Sequence, residues 1–443
     1  MINSSLRRGM LAASIIWVLA GSAAWAQPVV SPAELEALRN MVQEVIKQNE
    51  ELRKRVQELE ATTPKRGQAM DAPAKPASGT ASTAAEPAKD VVKSTDVVKS
   101  ARDKIQLGGA IEIEARSAKE FNGGRRSDLL LSTAEFDFEA DVVDWAKAEL
   151  SLQWVAPTTA FPATPDDKIT VNEAMITFAK PSVLPVYLKV GRGVVPFGIS
   201  TGTTVAARLD ESLTITGPLT LEIFEAKEDH LLLGYKAYGF NVGAYVFNGD
   251  TNNAVRSRGG TRDKFLEHYG FAVGYGHKGE TLTFDVGVGW IDSVFDTDGL
   301  SAAFPELVLA PNKGYTPGVA AFVRAGLFGF SFIGEYDTAV RQNKFTRGTP
   351  AQQFKTQPEA WQIELGYTTT LFGIRPFGAF NYSKSYQMYG AFPKRRTLYT
   401  VGSWLSENIR VAFEYNNEQD YNKAHRGTNS EQDTYTLRLT YEW

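Results

Sequence analysis

The chain has 443 residues, a formal net charge of −4 and no cysteine. The charge lacks the basic surplus of a nucleic-acid-binding protein, so nucleic acid is excluded as a partner. The missing cysteines exclude a disulfide scaffold, a cysteine-ligated metal site and a thiol nucleophile. The four histidines, His230, His268, His277 and His425, have no metal-ligand spacing. Neither a metal site nor a cofactor is predicted.

The first 26 residues have the pattern of a secretory signal peptide. Arg7 and Arg8 give a positive start, an apolar stretch follows from Met10 to Gly21, and Ala24-Trp25-Ala26 resembles a signal-peptidase site. We therefore predict export and cleavage after Ala26. Beyond this segment the sequence has no apolar run of ~18 residues, the length that a membrane-spanning helix needs.

Residues 31 to 61 carry apolar side chains three and four positions apart, which is the spacing of a coiled coil. Ser31-Pro32-Ala33-Glu34 is a suitable helix start, because serine can cap and proline fits the first turn. We predict a short periplasmic coiled coil, with a single amphipathic helix as the alternative. The heptad core positions are Leu35, Leu38, Val42, Val45, Asn49, Leu52, Val56 and Leu59.

Residues 62 to 103 differ in composition, since Pro, Ala, Lys, Thr and Ser dominate. Such a segment cannot bury enough apolar surface to offset the entropy lost on ordering. It is predicted to be a disordered periplasmic linker. A contact of its lysines with peptidoglycan is the alternative.

From Lys104 onward, apolar and polar side chains alternate with a period of two, which predicts strands with one apolar face. Ala148, Leu150 and Leu152, for example, alternate with Glu149 and Ser151. In a soluble sandwich the apolar face packs on a second sheet, whereas in a membrane barrel it contacts lipid. Alternation alone does not distinguish the two.

Three features favour the membrane barrel. Many segments reach the ~9–11 residues that cross a bilayer at a tilt. Aromatic residues, among them Trp154, Trp290 and Trp361, lie at segment ends, as membrane interfaces require. The last segment resembles the C-terminal signal by which barrel-assembly machinery recognises its substrates, through Tyr435, Leu437, Leu439, Tyr441 and Trp443.

Short and long connections alternate along this region, as periplasmic turns and extracellular loops should. Seven short and eight long connections predict an all-β fold: a 16-stranded antiparallel transmembrane β-barrel over residues 104–443, with both ends in the periplasm. The segment Leu219–Ile223 resembles a strand locally, but counting it would give an odd number. We therefore assign it to the third loop, residues 194–230, which is the longest.

A barrel of this size leaves an open channel, and we predict that the third loop folds inward to constrict it. A solvated surface loop is the alternative. Opposed charges at a narrow point select solutes. The candidate constriction residues are Arg208, Asp210, Glu211, Glu222, Glu225 and Lys227.

The polar face of the strands would line the lumen. Acidic groups outnumber basic ones there, so the pore should prefer cations or zwitterionic solutes, and no ladder of basic residues for phosphate is evident. The predicted lumen-lining residues are Glu112, Glu114, Arg116, Glu135, Asp137, Glu149, Lys189, Glu335, Glu364, Arg410 and Glu414.

Three short motifs, together with the signal peptide, coiled coil and linker, carry a family resemblance. They are Gly191–Gly198 (GRGVVPFG), Gly217–Glu222 (GPLTLE) and Ala244–Thr251 (AYVFNGDT). The chain resembles the phosphate-selective porin superfamily, and within it the branch typified by the legiobactin-receptor siderophore porins. The resemblance implies uptake of ferric siderophore without a plug domain.

The leading hypothesis is therefore an outer-membrane channel, expected as a homotrimer because barrels of this size often associate in threes. A general or anion-selective porin is the alternative within transport. A barrel hydrolase would need a Ser and His pair at the rim, but no Gly-x-Ser-x-Gly elbow is present, so we predict no enzyme activity. A third hypothesis makes the barrel an anchor that tethers the outer membrane to the cell wall.

Overall fold

The computed structural model describes residues 104–156, 168–199, 212–249, 251, 265–309, 314–347 and 351–443. The predicted signal peptide, coiled coil and linker lie outside the described residues. Arg208, Asp210 and Glu211 of the predicted constriction also lie outside them. None of the helices in the described ranges has the length and apolarity needed to span a membrane.

Sixteen strands of the described chain close into one antiparallel barrel, which confirms the predicted fold and strand number. Each strand pairs with its neighbours in the chain, and the last strand closes the barrel against the first. The barrel strands are β1 (Ile105–Lys119), β2 (Arg125–Val143), β3 (Ala146–Val155), β4 (Ile169–Lys180), β5 (Leu184–Val194), β6 (Lys227–Ala237), β7 (Phe240–Gly249), β8 (Phe265–Lys278), β9 (Leu282–Ile291), β10 (Gly318–Leu327), β11 (Phe330–Ala339), β14 (Glu359–Thr368), β15 (Arg375–Tyr386), β16 (Arg395–Trp404), β17 (Ile409–Gln419) and β18 (Glu431–Glu442). A separate hairpin is formed by β12 (Asn343–Arg347) and β13 (Gln352–Thr356).

The two faces of the strands differ in the way a lipid-embedded barrel requires. On β18, Leu437 and Leu439 are exposed, whereas the residues that alternate with them, Thr436, Arg438 and Thr440, are buried. This pattern is the reverse of that in a soluble protein, and it recurs around the barrel. The exposed large side chains are apolar, and many inward side chains are charged. An apolar outer band and a polar interior are typical of outer-membrane barrels.

Connections of contrasting length separate the two ends of the barrel. At the turn end, three turns place an aromatic residue and a glycine at positive φ: Tyr238-Gly239, Phe328-Gly329 and Phe372-Gly373. Two consecutive positive φ angles match the twist of a tight hairpin. At the loop end lie L1 (120–124), L2 (156–168), L3 (195–226), L4 (250–264), L5 (292–317), L6 (340–358), L7 (387–394) and L8 (420–430).

The third loop differs from its prediction in two details. The segment that resembled a strand is the helix α1 (Leu219–Phe224), in which Leu219 and Ile223 lie one turn apart and are fully buried. Lys227 is not a loop residue, because the loop ends one residue earlier and Lys227 opens β6. Its Nζ donates to Asn172 Oδ1 on β4 at 2.6 Å.

Two further α-helices of the described ranges lie in L5. They are α2 (Asp298–Ala303) and α3 (Pro305–Leu309), preceded by a single 3₁₀ turn at Val294–Asp296. Their apolar side chains, with those of α1 and of L6 to L8, form the main hydrophobic core of the described chain. This core lies between the loops and the inner wall of the barrel rather than between two sheets.

An ion cluster inside the barrel joins the first strand to the last. Arg438 on β18 contacts Glu112 Oε1 at 3.0 Å and Glu114 Oε1 at 2.5 Å on β1, and both carboxylates are fully buried. Arg116 contacts Glu114 as well. Because a slip of one residue would move every one of these charges to the lipid face, the cluster favours this register.

Replacing Arg438 with leucine should destabilise the barrel. The change leaves two buried carboxylates without their cation, and breaking one partner of a buried ion pair costs about 3–5 kcal/mol. The denaturant midpoint of the refolded protein in detergent measures this loss. Arg125→Leu, at an exposed arginine that begins β2, is the control, and an equal midpoint for both variants would show that the cluster does not stabilise closure.

Candidate channel constriction

L3 lies against the inner wall of the barrel, where three strand carboxylates hold its backbone. On β11, Glu335 Oε1 accepts the Ile199 N–H at 2.6 Å and its Oε2 accepts the Thr220 hydroxyl at 2.5 Å. On β14, Glu364 accepts the Ser212 hydroxyl at 2.8 Å and the Leu213 N–H at 3.0 Å.

The third carboxylate, Glu414 on β17, continues the same series. It accepts the N–H groups of Ile215 at 2.7 Å and Thr216 at 2.9 Å, and the Thr400 hydroxyl at 2.7 Å. Hydrogen bonds to charged acceptors are stronger than those between neutral groups. L3 is therefore attached to three separate strands through its own main chain.

Two buried arginines hold L3 from the same side. Arg396 on β16 donates to the Gly217 carbonyl at 2.6 Å and pairs with Glu222 and Glu418, each at 2.6 Å. Burial raises the pKa of Glu222 above its ordinary value, although the Arg396 charge acts in the opposite direction. The arginine is thus shared between a loop carboxylate and a wall carboxylate.

Arg410 on β17 holds L3 by a hydrogen bond and by packing. Its Nη2 donates to the Leu213 carbonyl at 2.6 Å, and the guanidinium lies over the rings of Phe377 at 4.7 Å and Trp404 at 5.2 Å. Only 2% of its surface is exposed. The attraction between a cation and an aromatic face is stronger when the pair is shielded from water.

Apolar packing fixes the other side of L3. Phe197 and Phe224 of L3 contact each other at 6.5 Å between ring centroids and belong to one buried cluster with residues of L5 to L8. Within this cluster Phe304 of L5 makes an edge contact with Phe345 of the L6 hairpin at 5.4 Å. The loops therefore fill the loop end of the barrel beside β11 and β14 to β17.

Two cavities lie on the opposite side of L3, along the inner wall of β1 to β11. One, of about 710 Å³, is lined on β2 to β6 by Asp137, Glu139, Glu149, Glu173, Lys189 and His230. The other, of about 850 Å³, includes Lys236, Asp285 and Arg324 in its lining. Pro196 of L3 lines both cavities.

The predicted site residues thus fall into distinct groups. Glu112, Glu114 and Arg116 belong to the closure cluster, and Glu135 accepts from Gln153 Nε2 at 2.7 Å. Glu225 follows α1 as its C-cap, and its carbonyl accepts the Asp298 N–H of L5 at 2.8 Å. The remaining predicted residues either hold L3, as Glu222, Glu335, Glu364, Arg410 and Glu414 do, or line the first cavity, as Asp137, Glu149 and Lys189 do.

Sequence reasoning missed several members of this arrangement, among them Arg396 with its partner Glu418, and Glu173. Arg396 follows Arg395 directly, and alternation does not say which of the two faces inward. Glu173 lies beside a register shift between β3 and β4, where the alternation is interrupted. In both cases the missing information is the pairing partner on the next strand.

No family model matches the chain. It is 25% identical over 339 residues to a UPF0422 protein of Coxiella burnetii (strain RSA 493 / Nine Mile phase I), which covers 74% of this chain and 67% of that protein. It is 22% identical over 343 residues to the UPF0422 protein lpl2888 of Legionella pneumophila (strain Lens), covering 72% and 59%.

Among solved structures, the chain is similar to Salmonella typhi OmpF in complex with daunomycin. The TM-score is 0.50 at 12% sequence identity, over 76% of this chain and 97% of that chain. At this identity the likeness concerns the fold alone. It supports the predicted closed barrel of 16 antiparallel strands.

Replacing Glu414 with glutamine should loosen L3. A neutral amide oxygen is a weaker acceptor for two N–H groups, so about 1–2 kcal/mol of local stability should be lost. Hydrogen exchange of the Ile215 and Thr216 amides measures the effect directly, and their protection should fall about tenfold or more. Glu280→Gln, in a turn at the opposite end, is the matched control and should leave both amides unchanged.

Proposed function

We propose that the protein is an outer-membrane channel in which solutes pass between L3 and the inner wall of β2 to β7. The observation that carries this proposal is the one-sided attachment of L3. Its anchors are on β11 and β14 to β17, while the cavities lie along β1 to β11. A loop held in this way narrows a wide barrel without filling it.

The charges beside the first cavity support a preference for cations or zwitterionic solutes. Lys147 Nζ lies 2.7 Å from Glu139 and 3.1 Å from Glu149, so this ammonium group is shared. Four carboxylates (Asp137, Glu139, Glu149, Glu173) therefore face two ammonium groups (Lys147, Lys189), a net charge of −2. In a narrow polar passage, unbalanced charge selects against solutes of the same sign.

The identity of the solute is a second part of the proposal. The family resemblance implies a ferric siderophore, and the alternative is a general or anion-selective porin. A phosphate-selective passage would need cations free of acidic neighbours, whereas each lysine at the first cavity shares the space with several carboxylates. The lining thus favours a solute that carries positive charge at the surface it presents to this wall.

The partners expected from the sequence belong to the same proposal. They are outer-membrane lipid around the barrel, two further copies in a homotrimer, the assembly machinery at the last strand, and peptidoglycan near residues 62–103. Tyr435, Leu437, Leu439, Tyr441 and Trp443 are exposed on the outer face, where an assembly factor could reach them before insertion.

Neutralising the acidic wall should reduce cation preference. We expect the combined variant Asp137→Asn, Glu149→Gln, Glu173→Gln to shift the reversal potential in planar bilayers under a salt gradient toward zero or toward anions, because only Glu139 then remains against two ammonium groups. Glu120→Gln in L1 together with Glu280→Gln removes two charges distant from the cavities and should have no effect. An anion-selective wild-type channel that phosphate blocks would overturn the proposed polarity.

Conductance in the same planar bilayer also tests the identity of the solute. A ferric siderophore added on the loop side should reduce wild-type conductance in proportion to its concentration, and the neutralised variant should respond with altered affinity. If no siderophore changes the conductance and the channel remains cation-selective, the proposed channel is retained and the proposed siderophore substrate is wrong.

Deleting residues 27–103 distinguishes the channel from the tether. If conduction belongs to the barrel, the shortened mature protein should keep the single-channel conductance of the wild type. Wild-type protein without conductance, combined with loss of outer-membrane attachment to the cell wall in the deletion strain, would favour the tether instead. Heat-modified electrophoretic migration serves as the folding control for both proteins.

A further inference from the structure

The outer face of β15 carries a graded series of side chains at the loop end. Phe380, Tyr382, Lys384 and Tyr386 share this face, because Asn381, Ser383 and Ser385 between them are fully buried. The Tyr382 ring lies 5.5 Å from the Trp361 ring on β14. The order of phenylalanine, tyrosine and lysine follows the order of hydrocarbon, interface and charged headgroup in a membrane leaflet.

Two lysines at this level have no internal charge partner. Lys384 is paired in register with Arg395 on β16, and Lys394 precedes that arginine in the chain. Within the described ranges, neither lysine side chain forms a hydrogen bond or ion pair. Arg395 itself is held by Asn417 Oδ1 at 3.2 Å and Glu431 Oε1 at 3.4 Å.

The acidic groups nearby are fewer than the basic ones. Glu359 lies opposite Tyr386 in the β14–β15 register, and Glu431 is already shared with Arg395. On the L8 side, Lys423 and Arg426 are exposed and add positive charge. The outer lysine pair, Lys384 and Lys394, therefore belongs to a surface with a net positive charge.

A cavity of about 540 Å³ adjoins Lys394 between L7 and L8. Tyr386, Gln387, Asn422 and His425 line it together with Glu359. Amide groups and an aromatic ring suit the hydroxyls and ring faces of a sugar, and the ammonium group suits a phosphate as a point charge. The combination is that of a sugar-phosphate site rather than of a purely apolar groove.

We propose that the outer lysine pair and this cavity bind the phosphorylated sugar headgroup of a glycolipid in the outer leaflet. The position of the outer lysine pair on the outer face favours a lipid over a soluble ligand. The lysines follow directly on the aromatic residues of the outer face, and Phe380 and Leu365 below them offer apolar surface along which acyl chains can lie. On the inner side of β15, Asn381 bonds to Gln362 and Ser385 to Tyr421, so this surface is separated from the lumen.

The test compares two double variants of the full-length protein in detergent. Native mass spectrometry with added bisphosphorylated lipid A gives the dissociation constant. Lys384→Gln with Lys394→Gln should raise this constant about tenfold or more, because each basic residue near an anionic headgroup contributes measurably to binding. Lys104→Gln with Lys180→Gln removes two exposed lysines at the turn end and should leave it unchanged. Lipid A without its phosphates should bind the wild type about tenfold more weakly.

Three results would overturn the proposal. The first is equal affinity of the two double variants for lipid A. The second is equal affinity of the wild type for lipid A with and without its phosphates. The third is displacement of lipid A by glucose 1-phosphate, which would indicate a site for a soluble sugar phosphate. Conductance should be the same in both double variants, since neither pair belongs to the proposed passage. The inference is thus independent of channel selectivity. If the first double variant fails to fold, Lys394→Gln alone, in a loop, replaces it and should still weaken binding severalfold.

Discussion

The whole structure depends on the need to pair every backbone N–H and C=O group inside a bilayer, where water is absent. A sheet that spans a membrane meets this need only by closing, and here β18 pairs with β1 over ten consecutive positions from Ala110 to Lys119. Closure then dictates the alternation, since each strand has one face to lipid and one to the interior. The buried charges of Glu112, Glu114 and Arg438 are tolerated because they pair with one another where the barrel closes.

Closure with sixteen strands creates a second requirement, because the interior is wider than side chains alone can fill. L3 occupies part of this interior and bonds to the wall through its main-chain N–H groups. A loop inside a barrel has N–H groups that no strand satisfies, and an unpaired buried polar group is expensive. Glu335, Glu364 and Glu414 supply acceptors from three different strands. The wall carboxylates and the loop therefore satisfy one another, and neither would be stable in this place alone.

The barrel could be predicted from the sequence because its signals are periodic and repeated: alternation, connection length and terminal aromatics act over many strands. The site was less accessible. Glu149 and Glu364 have the same local pattern, an acidic residue among outward apolar ones, yet one lines a cavity and the other holds Ser212 and Leu213. The difference lies in a contact between residues more than a hundred positions apart, which no local pattern encodes.

The helix α1 illustrates the same limit at a smaller scale. Leu219, Leu221 and Ile223 fit a period of two, and Leu219 and Ile223 also fit a helical turn. The surroundings decide between these periods. In L3 both buried residues must point into the core shared with L5, and a helix places them on one face, whereas a strand would also bring Leu221 to that face.

The attachment of L3 also bears on the charge selectivity that we propose. A carboxylate that accepts several short hydrogen bonds is held in one orientation, and its charge is already offset by the donors around it. Glu335, Glu364 and Glu414 are in this state, so they contribute to the position of the loop more than to the field in the passage. In the proposed channel, the charges that remain available to a solute are those at the first cavity, on β2 to β5, where carboxylates outnumber ammonium groups. In the channel that we propose, a rigid constriction and a charged passage can coexist, because the groups that fix the loop are not those that meet the solute.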